Sequence, residues 1–213
     1  MVKKTSAIIE PEVKVENIHI EERKKIGILG GTFNPPHLGH LIIADQVRDQ
    51  LGLEKILFLP SAIPPHAEGK TTIDAKHRIK MVEKAIELEP EFELDFTEIN
   101  RGGKSFTFDT IKALTEQNPD IEYYFIIGAD MVEDLPSWHR IEELVHLVQI
   151  VAVNRPDYSV ETAFPLIFID VPNIEISSST IRQKIADQCS VKFLLPDNVL
   201  EYIESEGLYH DEI

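Results

Sequence analysis

Two histidines three positions apart, His37 and His40, close the string Gly30-Gly31-Thr32-Phe33-Asn34-Pro35-Pro36-His37-Leu38-Gly39-His40. At a helix start such a pair shares one face, and its imidazole N–H groups could donate to phosphate oxygens. The two glycines would let the backbone turn tightly and approach a ligand, freeing the N–H groups around Thr32 and Phe33 to face an anion. Far downstream, Ile176-Ser177-Ser178-Ser179 precedes a predicted helix. Hydroxyls, unpaired N–H groups and the positive end of the helix dipole make an anion site there. Arg182, one turn in, can fork two phosphate oxygens. Taken singly, the glycines could be a plain turn, the histidines surface residues, and the serines an N-cap beside a solvated arginine. Taken together, the two stretches describe a site for a chain of phosphates.

Other nucleotide signatures fail. The glycine spacing does not match the G-x-G-x-x-G fingerprint. Gly103-Lys104-Ser105 resembles the end of a Walker A loop, but the first glycine of that motif would fall on Glu98. Neither the H-E-x-x-H of zinc proteases nor the G-x-S-x-G elbow of serine hydrolases occurs.

These loops need a frame to hold them. Apolar runs at Ile26–Leu29, Ile56–Leu59, Phe92–Phe96, Ile121–Ile127, Val148–Val153 and Leu166–Ile169 read as strands. Helical spacing predicts helices over Leu38–Leu51, Asp74–Leu88 (with Asp74 as N-cap), Phe106–Gln117, Ser178–Asp187 and Asp197–Glu206, the last closed by Gly207. Further helix signals run through Leu135 and from Ser137 to Leu144. Strands alternating with helices imply right-handed βαβ units and a parallel sheet covered on both faces. Ligands of such sheets sit beyond the carboxyl ends of the strands, which is where the Gly30–His40 string lies. Residues 1–24, rich in Glu and Lys, read as a leader or a short strand at Val13–Ile20, and residues 25–213 as a single domain.

The chain has 213 residues, enough for one good core. Its net charge of −16 repels a phosphate backbone, so nucleic acid is not an expected partner. A phosphate ligand must then be held locally. One cysteine, Cys189, excludes an intrachain disulfide and a multi-cysteine zinc site and fits a reducing compartment. No apolar run approaches the ~20 residues needed to cross a bilayer, and residues 1–23 lack the apolar core of a signal peptide. A cytoplasmic protein without a membrane partner is expected.

His37-Leu38-Gly39-His40 resembles the His-x-Gly-His motif of the nucleotidylyltransferase superfamily, and Ile176-Ser177-Ser178-Ser179-Thr180-Ile181-Arg182 resembles its second motif. With Lys104-Ser105-Phe106-Thr107-Phe108-Asp109-Thr110 and Gly128-Ala129-Asp130 followed by Leu135-Pro136-Ser137-Trp138, the chain is similar, from about Lys25 to Gly207, to the bacterial nicotinate mononucleotide adenylyltransferases. The resemblance implies a Rossmann-like doubly wound parallel sheet with a small C-terminal helical part. It also implies transfer of the adenylyl group of ATP to nicotinate mononucleotide, with release of pyrophosphate.

On the same resemblance, His37, His40 and Arg182 are the catalytic residues. Gly30, Gly31, Thr32, Phe33, His40, Gly128, Asp130, Arg155, Ser178, Ser179 and Arg182 bind ATP. Ser105, Phe106, Thr107 and Trp138 bind the nicotinate side, and Asp109 caps a helix or orients the loop. Mg²⁺ is the implied cofactor, bound through phosphates and water with no protein ligand. The chain departs from the family at Ser179 in place of threonine, Ala67 in place of lysine (with Lys70 or His66 as compensating groups), and Asp134 in place of an aromatic residue. Alternatives are a sister enzyme using nicotinamide mononucleotide or phosphopantetheine, and a nucleotide-binding sensor without turnover. A homo-oligomer is left open.

Overall fold

A computed structural model describes residues 23–62, 72–154, 162–172 and 174–210. Residues 1–22 of the leader, the Ala67 loop and Arg155 fall outside these residues, and Lys24, read with the leader, begins the first strand. Six parallel strands form one sheet in the order β3-β2-β1-β4-β5-β6. They are β1 (Lys24–Gly31), β2 (Lys55–Pro60), β3 (Phe92–Leu94), β4 (Ile121–Gly128), β5 (Gln149–Asn154) and β6 (Leu166–Asp170). The chain adds strands outward on one side of β1, then returns to start the other side at β4. The seam between β1 and β4 is therefore the point where strand order reverses and a crevice opens at the carboxyl ends.

Period-two alternation assigns side chains to the two faces. Tyr123, Phe125 and Ile127 of β4, with Ile150 and Ala152 of β5, pack into one apolar cluster. Tyr124, Ile126, Val151 and Val153 pack into the other. Both sets are buried, which is why these strands read as continuous apolar runs. The first cluster is covered by α4 (Thr107–Gln117) and α5 (Ile141–Leu144) through Phe108, Ile111 and Leu144. The second is covered by α1 (Leu38–Leu51), α2 (Ala75–Ile86), α6 (Ser178–Ala186) and α7 (Asp197–Glu206) through Val47, Met81, Ile181 and Ile203. Asp74 caps α2 by accepting from the Lys76 N–H at 3.0 Å, and Gly207 ends α7 at φ 63°.

Three expectations change. Gly30 and Gly31 are not a turn; they complete β1, and a Cβ on Gly31 would come within 3.1 Å of the Phe33 ring. The chain turns two residues later, where Phe33 adopts φ 50° with its ring buried between His40 and Phe58. The third strand stops at Leu94, and Thr97–Arg101 forms a short helix, α3, whose Thr97 N–H donates to the Asp95 carboxylate at 2.8 Å. The helix signals after β4 resolve into 3-10 turns at Ala129–Met131 and Leu135–Ser137 before α5, because Pro136 interrupts the bonding ladder.

Arg78 on α2 is 1% exposed and ties the loops together. Its guanidinium donates to the carbonyls of Thr32 (2.9 Å), Ser61 (2.8 Å), Ala62 (3.1 Å) and Ile73 (3.4 Å). Burial pulls its pKa down, with Tyr209 and Asp74 opposing. Removing the guanidinium strands several buried carbonyls at once. Arg78→Met is therefore expected to destabilise the fold by about 3 kcal/mol, measured as a fall in the urea midpoint at unchanged slope. An unchanged midpoint would count against this role.

Candidate active site

A cavity of about 730 Å³ opens over the β1–β4 seam. Its floor is Gly30, Gly31 and Thr32 from the end of β1 and Ile126 and Ile127 from β4. A second cavity of about 120 Å³ is lined by His37, Gly39, Gly128, Ala129, Asp130 and Ile176, among others. The expected shared face of the two histidines is present as a ring stack, with centroids 3.7 Å apart and planes at 29°. His40 lines the large cavity and His37 the small one. Gly39 makes this possible, since a Cβ there would meet the His37 ring at 3.1 Å.

The stack is set by the helix start itself. His37 is the N-cap of α1, and its N–H donates to Nδ1 of His40 at 3.1 Å. With Nδ1 accepting, the His40 proton resides on Nε2, the nitrogen left for a ligand. Burial lowers the His37 pKa to about 4. Burial, and then the neighbouring His37, hold His40 well below the usual imidazole value. Both rings are neutral near pH 7.

The serine helix meets this loop directly. Arg182 Nη1 donates to the Asn34 carbonyl at 2.9 Å, and Ser178 Oγ donates to the Pro35 carbonyl at 2.8 Å. Ser177, the N-cap of α6, accepts from the Thr180 N–H at 3.2 Å. The helix start is thus less open than expected: Ser178 spends its hydroxyl proton on the loop, and Ser177 satisfies one N–H of the first turn. Ser178, Ser179 and Arg182 still line the large cavity. Asn34 is also held from the C-terminal side, where the buried Tyr209 hydroxyl donates to its Oδ1 at 2.7 Å.

At the other end of the large cavity stand Ser105, Phe106, Thr107 and Trp138, as expected. Trp138 packs edge-on against Phe125, with ring centroids 6.1 Å apart. Gly102 and Gly103 turn the chain from α3 into α4 at φ 66° and 67°, conformations that suit glycine. Phe106 is the N-cap of α4, which has no side-chain cap. Asp109 therefore does not cap this helix; it sits in the first turn, and its carbonyl accepts from Arg101 at 3.2 Å.

The structure brings His40, Arg182, Ser178, Ser179, Gly30, Gly31, Thr32, Phe33, Ser105, Phe106, Thr107 and Trp138 to one cavity, and His37, Gly128 and Asp130 to its small neighbour. Of the further lining residues that the sequence did not single out, three carry ionisable side chains: Lys104, His139 and Glu98. Lys104 sits inside a quoted motif, and its charge was the available signal. His139 follows Trp138 and lies against Phe106 at 4.6 Å between centroids. Glu98 belongs to α3, and its pairing with Arg101 one turn ahead of two glycines was the clue.

A doubly wound parallel sheet whose first loop presents a His-x-Gly-His stack against a serine-capped helix defines a nucleotidyl-transferring α/β protein, and the chain belongs to the Cytidylyltransferase-like family, which it matches over residues 28–184. Its relatives narrow this to the nicotinate-nucleotide adenylyltransferases. The "Probable nicotinate-nucleotide adenylyltransferase" of Enterococcus faecalis is 52% identical over 198 residues, covering 93% of this chain and 90% of that one. The protein of the same description from Streptococcus pneumoniae is 53% identical over 205 residues, 96% of each chain, so the likeness runs into the first 24 residues. The Plasmodium falciparum nicotinic acid mononucleotide adenylyltransferase, solved with APC and with NaAD, shares the fold. Its TM-score is 0.75 in both forms, with 22% and 23% identity, covering 89% of this chain and 98% of that one.

Proposed function

We propose that the stacked histidines mark the centre of a site in which this chain transfers the adenylyl group of ATP to nicotinate mononucleotide, giving nicotinate adenine dinucleotide and pyrophosphate. The observation that carries this reading is the His37–His40 stack between two cavities, with Arg182 on the adjoining helix. The small cavity, with Gly128 and Asp130, takes the adenosine end. The Ser105–Thr107 loop and Trp138 take the pyridine ring, an electron-poor ring that can stack on indole. The phosphates pass His40, Ser179 and Arg182.

The acceptor's phosphate monoester is already an anion at neutral pH, its second pKa being about 6. It attacks the α-phosphorus of ATP without a general base, so the protein's work is alignment and stabilisation of charge. His40 offers Nε2–H to an oxygen on which charge develops. Neutral rings cost little to bury, and an arriving phosphate raises their affinity for a proton just where negative charge accumulates.

We propose Mg²⁺ as the accompanying ion. Among the described residues no three His, Cys, Asp or Glu side chains gather; the ion would be carried on phosphate oxygens and water. When bound, it neutralises phosphate charge. We read nucleotides, not nucleic acid, as the partners, and a single domain beginning near Lys24 as the unit that binds them. No described helix is long and apolar enough to cross a membrane.

The test is pyrophosphate release with ATP, Mg²⁺ and a panel of acceptors. Formation of the dinucleotide from nicotinate mononucleotide is expected. Release with phosphopantetheine instead would assign a sister enzyme, and no release with any acceptor would assign a sensor. Arg182→Lys keeps the charge but loses the fork. It is expected to lower kcat/KM for ATP about tenfold or more with little change in Tm. Parental behaviour at low ATP would remove the phosphate role from Arg182.

A further inference from the structure

Among the described residues lining the large cavity, Glu98 alone carries a carboxylate. It is 8% exposed and shares a wall with Lys104, Ser105, Phe106 and Thr107. A buried acid in a cavity for two anionic nucleotides opposes binding by like-charge repulsion unless something occupies it.

The occupant is Thr110, fully buried on the first turns of α4. Its hydroxyl donates to Glu98 Oε1 at 3.1 Å. Arg101 Nη1 donates to the same hydroxyl oxygen at 2.9 Å, and Nη2 donates to the Asp109 carbonyl. A guanidinium can only donate, so Thr110 accepts from Arg101 and has one proton left to give. Two acceptors lie within its reach, Glu98 Oε1 at 3.1 Å and the Phe106 carbonyl at 3.4 Å, and the shorter bond makes a directed relay from Arg101 through Thr110 to Glu98. The relay joins α3 to α4 across the two-glycine turn, and so braces the loop against which the pyridine end of the acceptor is placed. Burial pushes the Glu98 carboxyl up, the Thr110 bond and Arg101 pull it down, and Asp95 pushes it up again.

We infer that the Arg101–Thr110–Glu98 relay sets the choice of acceptor: by holding the ionised Glu98 carboxylate against α4, close to the Arg101 guanidinium, it keeps that charge turned away from the acceptor's own carboxylate. A disengaged Glu98 would repel the acid and accept from the NH₂ of the amide. Thr110 is then a positioning residue for specificity, acting through Glu98. The inference rests on nicotinate mononucleotide being the acceptor.

The experiment is a kinetic comparison of acid and amide acceptors in the intact chain. Thr110→Val removes the hydroxyl at nearly constant shape. It is expected to raise KM for the acid acceptor and cut the acid-to-amide ratio of kcat/KM by about tenfold or more, leaving KM for ATP within a few-fold. Thr110→Ser, which keeps the hydroxyl, is expected to retain the parental ratio. The Thr110→Val/Glu98→Gln double variant, with no charge to repel, is expected to recover the parental KM for the acid. If valine impairs folding, Thr110→Ala takes its place. An unchanged ratio in the hydroxyl-less variant, or a double variant as poor as the single one, would overturn the inference, since loosened packing predicts no rescue. Equal use of both acceptors by the parent protein would instead overturn the reading on which it rests.

Discussion

His40→Ala is expected to lower kcat by about 10²–10³-fold, the scale for losing one preorganised donor to developing charge. Three features of the loop support a loss of that size. The ring is held on both sides, by the His37 stack and by the edge of Phe33 at 5.0 Å. The tautomer is set by the bond from the His37 N–H. The ring is half-buried, so water replaces the missing donor less well than it would at an open surface. His37→Ala is expected to act similarly, through loss of its own ring and of the stack that aligns its neighbour. Folding should survive both changes, because Arg182, Ser178 and Tyr209 tie the loop to two other parts of the chain at Asn34 and Pro35. Steady-state kinetics on variants with parental Tm provide the measurement. A well-folded His40→Ala protein with unchanged kcat would remove the histidines from the reaction.

The second large effect concerns the acceptor. At equal ATP and Mg²⁺, kcat/KM for nicotinate mononucleotide is expected to exceed that for the amide by at least ~10²-fold, within the range available to a site built for one hydrogen-bonding pattern. A carboxylate only accepts. A carboxamide turns an NH₂ donor toward at least one of the site's N–H groups and leaves it unpaired. The acceptor end suits the acid: α4 begins at Thr107 without a side-chain cap, its dipole favours negative charge, and Lys104 stands on the same wall. Equal rates with the two acceptors would reject the specificity and leave adenylyl transfer intact.

Much of this arrangement was legible in the residues because it is local or periodic. Helices α1 and α7 begin and end where apolar spacing and Gly207 placed them, and β4 shows as an apolar run from Tyr123 to Ile127 because both its faces are covered. The two phosphate motifs announced themselves by residue type. What stayed hidden depended on contacts distant in sequence or on elements too short to show a period. Helix α3 spans Thr97–Arg101 with Glu98 its one buried residue, so no amphipathic pattern could mark it. Arg78 looks like a solvated charge on a helix, and only the return of Thr32 and Ser61 beside it shows otherwise. Gly30 and Gly31 suggested a turn, yet the space they leave is taken by the rings of Phe125 and Phe33.

The seam between β1 and β4 bears on how the protein acquires its site. Ile26 pairs with Tyr123, and Asn34 and Pro35 await Arg182 and Ser178. During synthesis, which runs from the N-terminus, the phosphate loop emerges long before either partner exists. Parallel pairing of this kind closes large loops, a slow step that is opposed by chain entropy until the distant strand docks. Nucleotide affinity consequently arises with the last contacts rather than the first. A nucleotide bound across these contacts stabilises the folded chain by mass action.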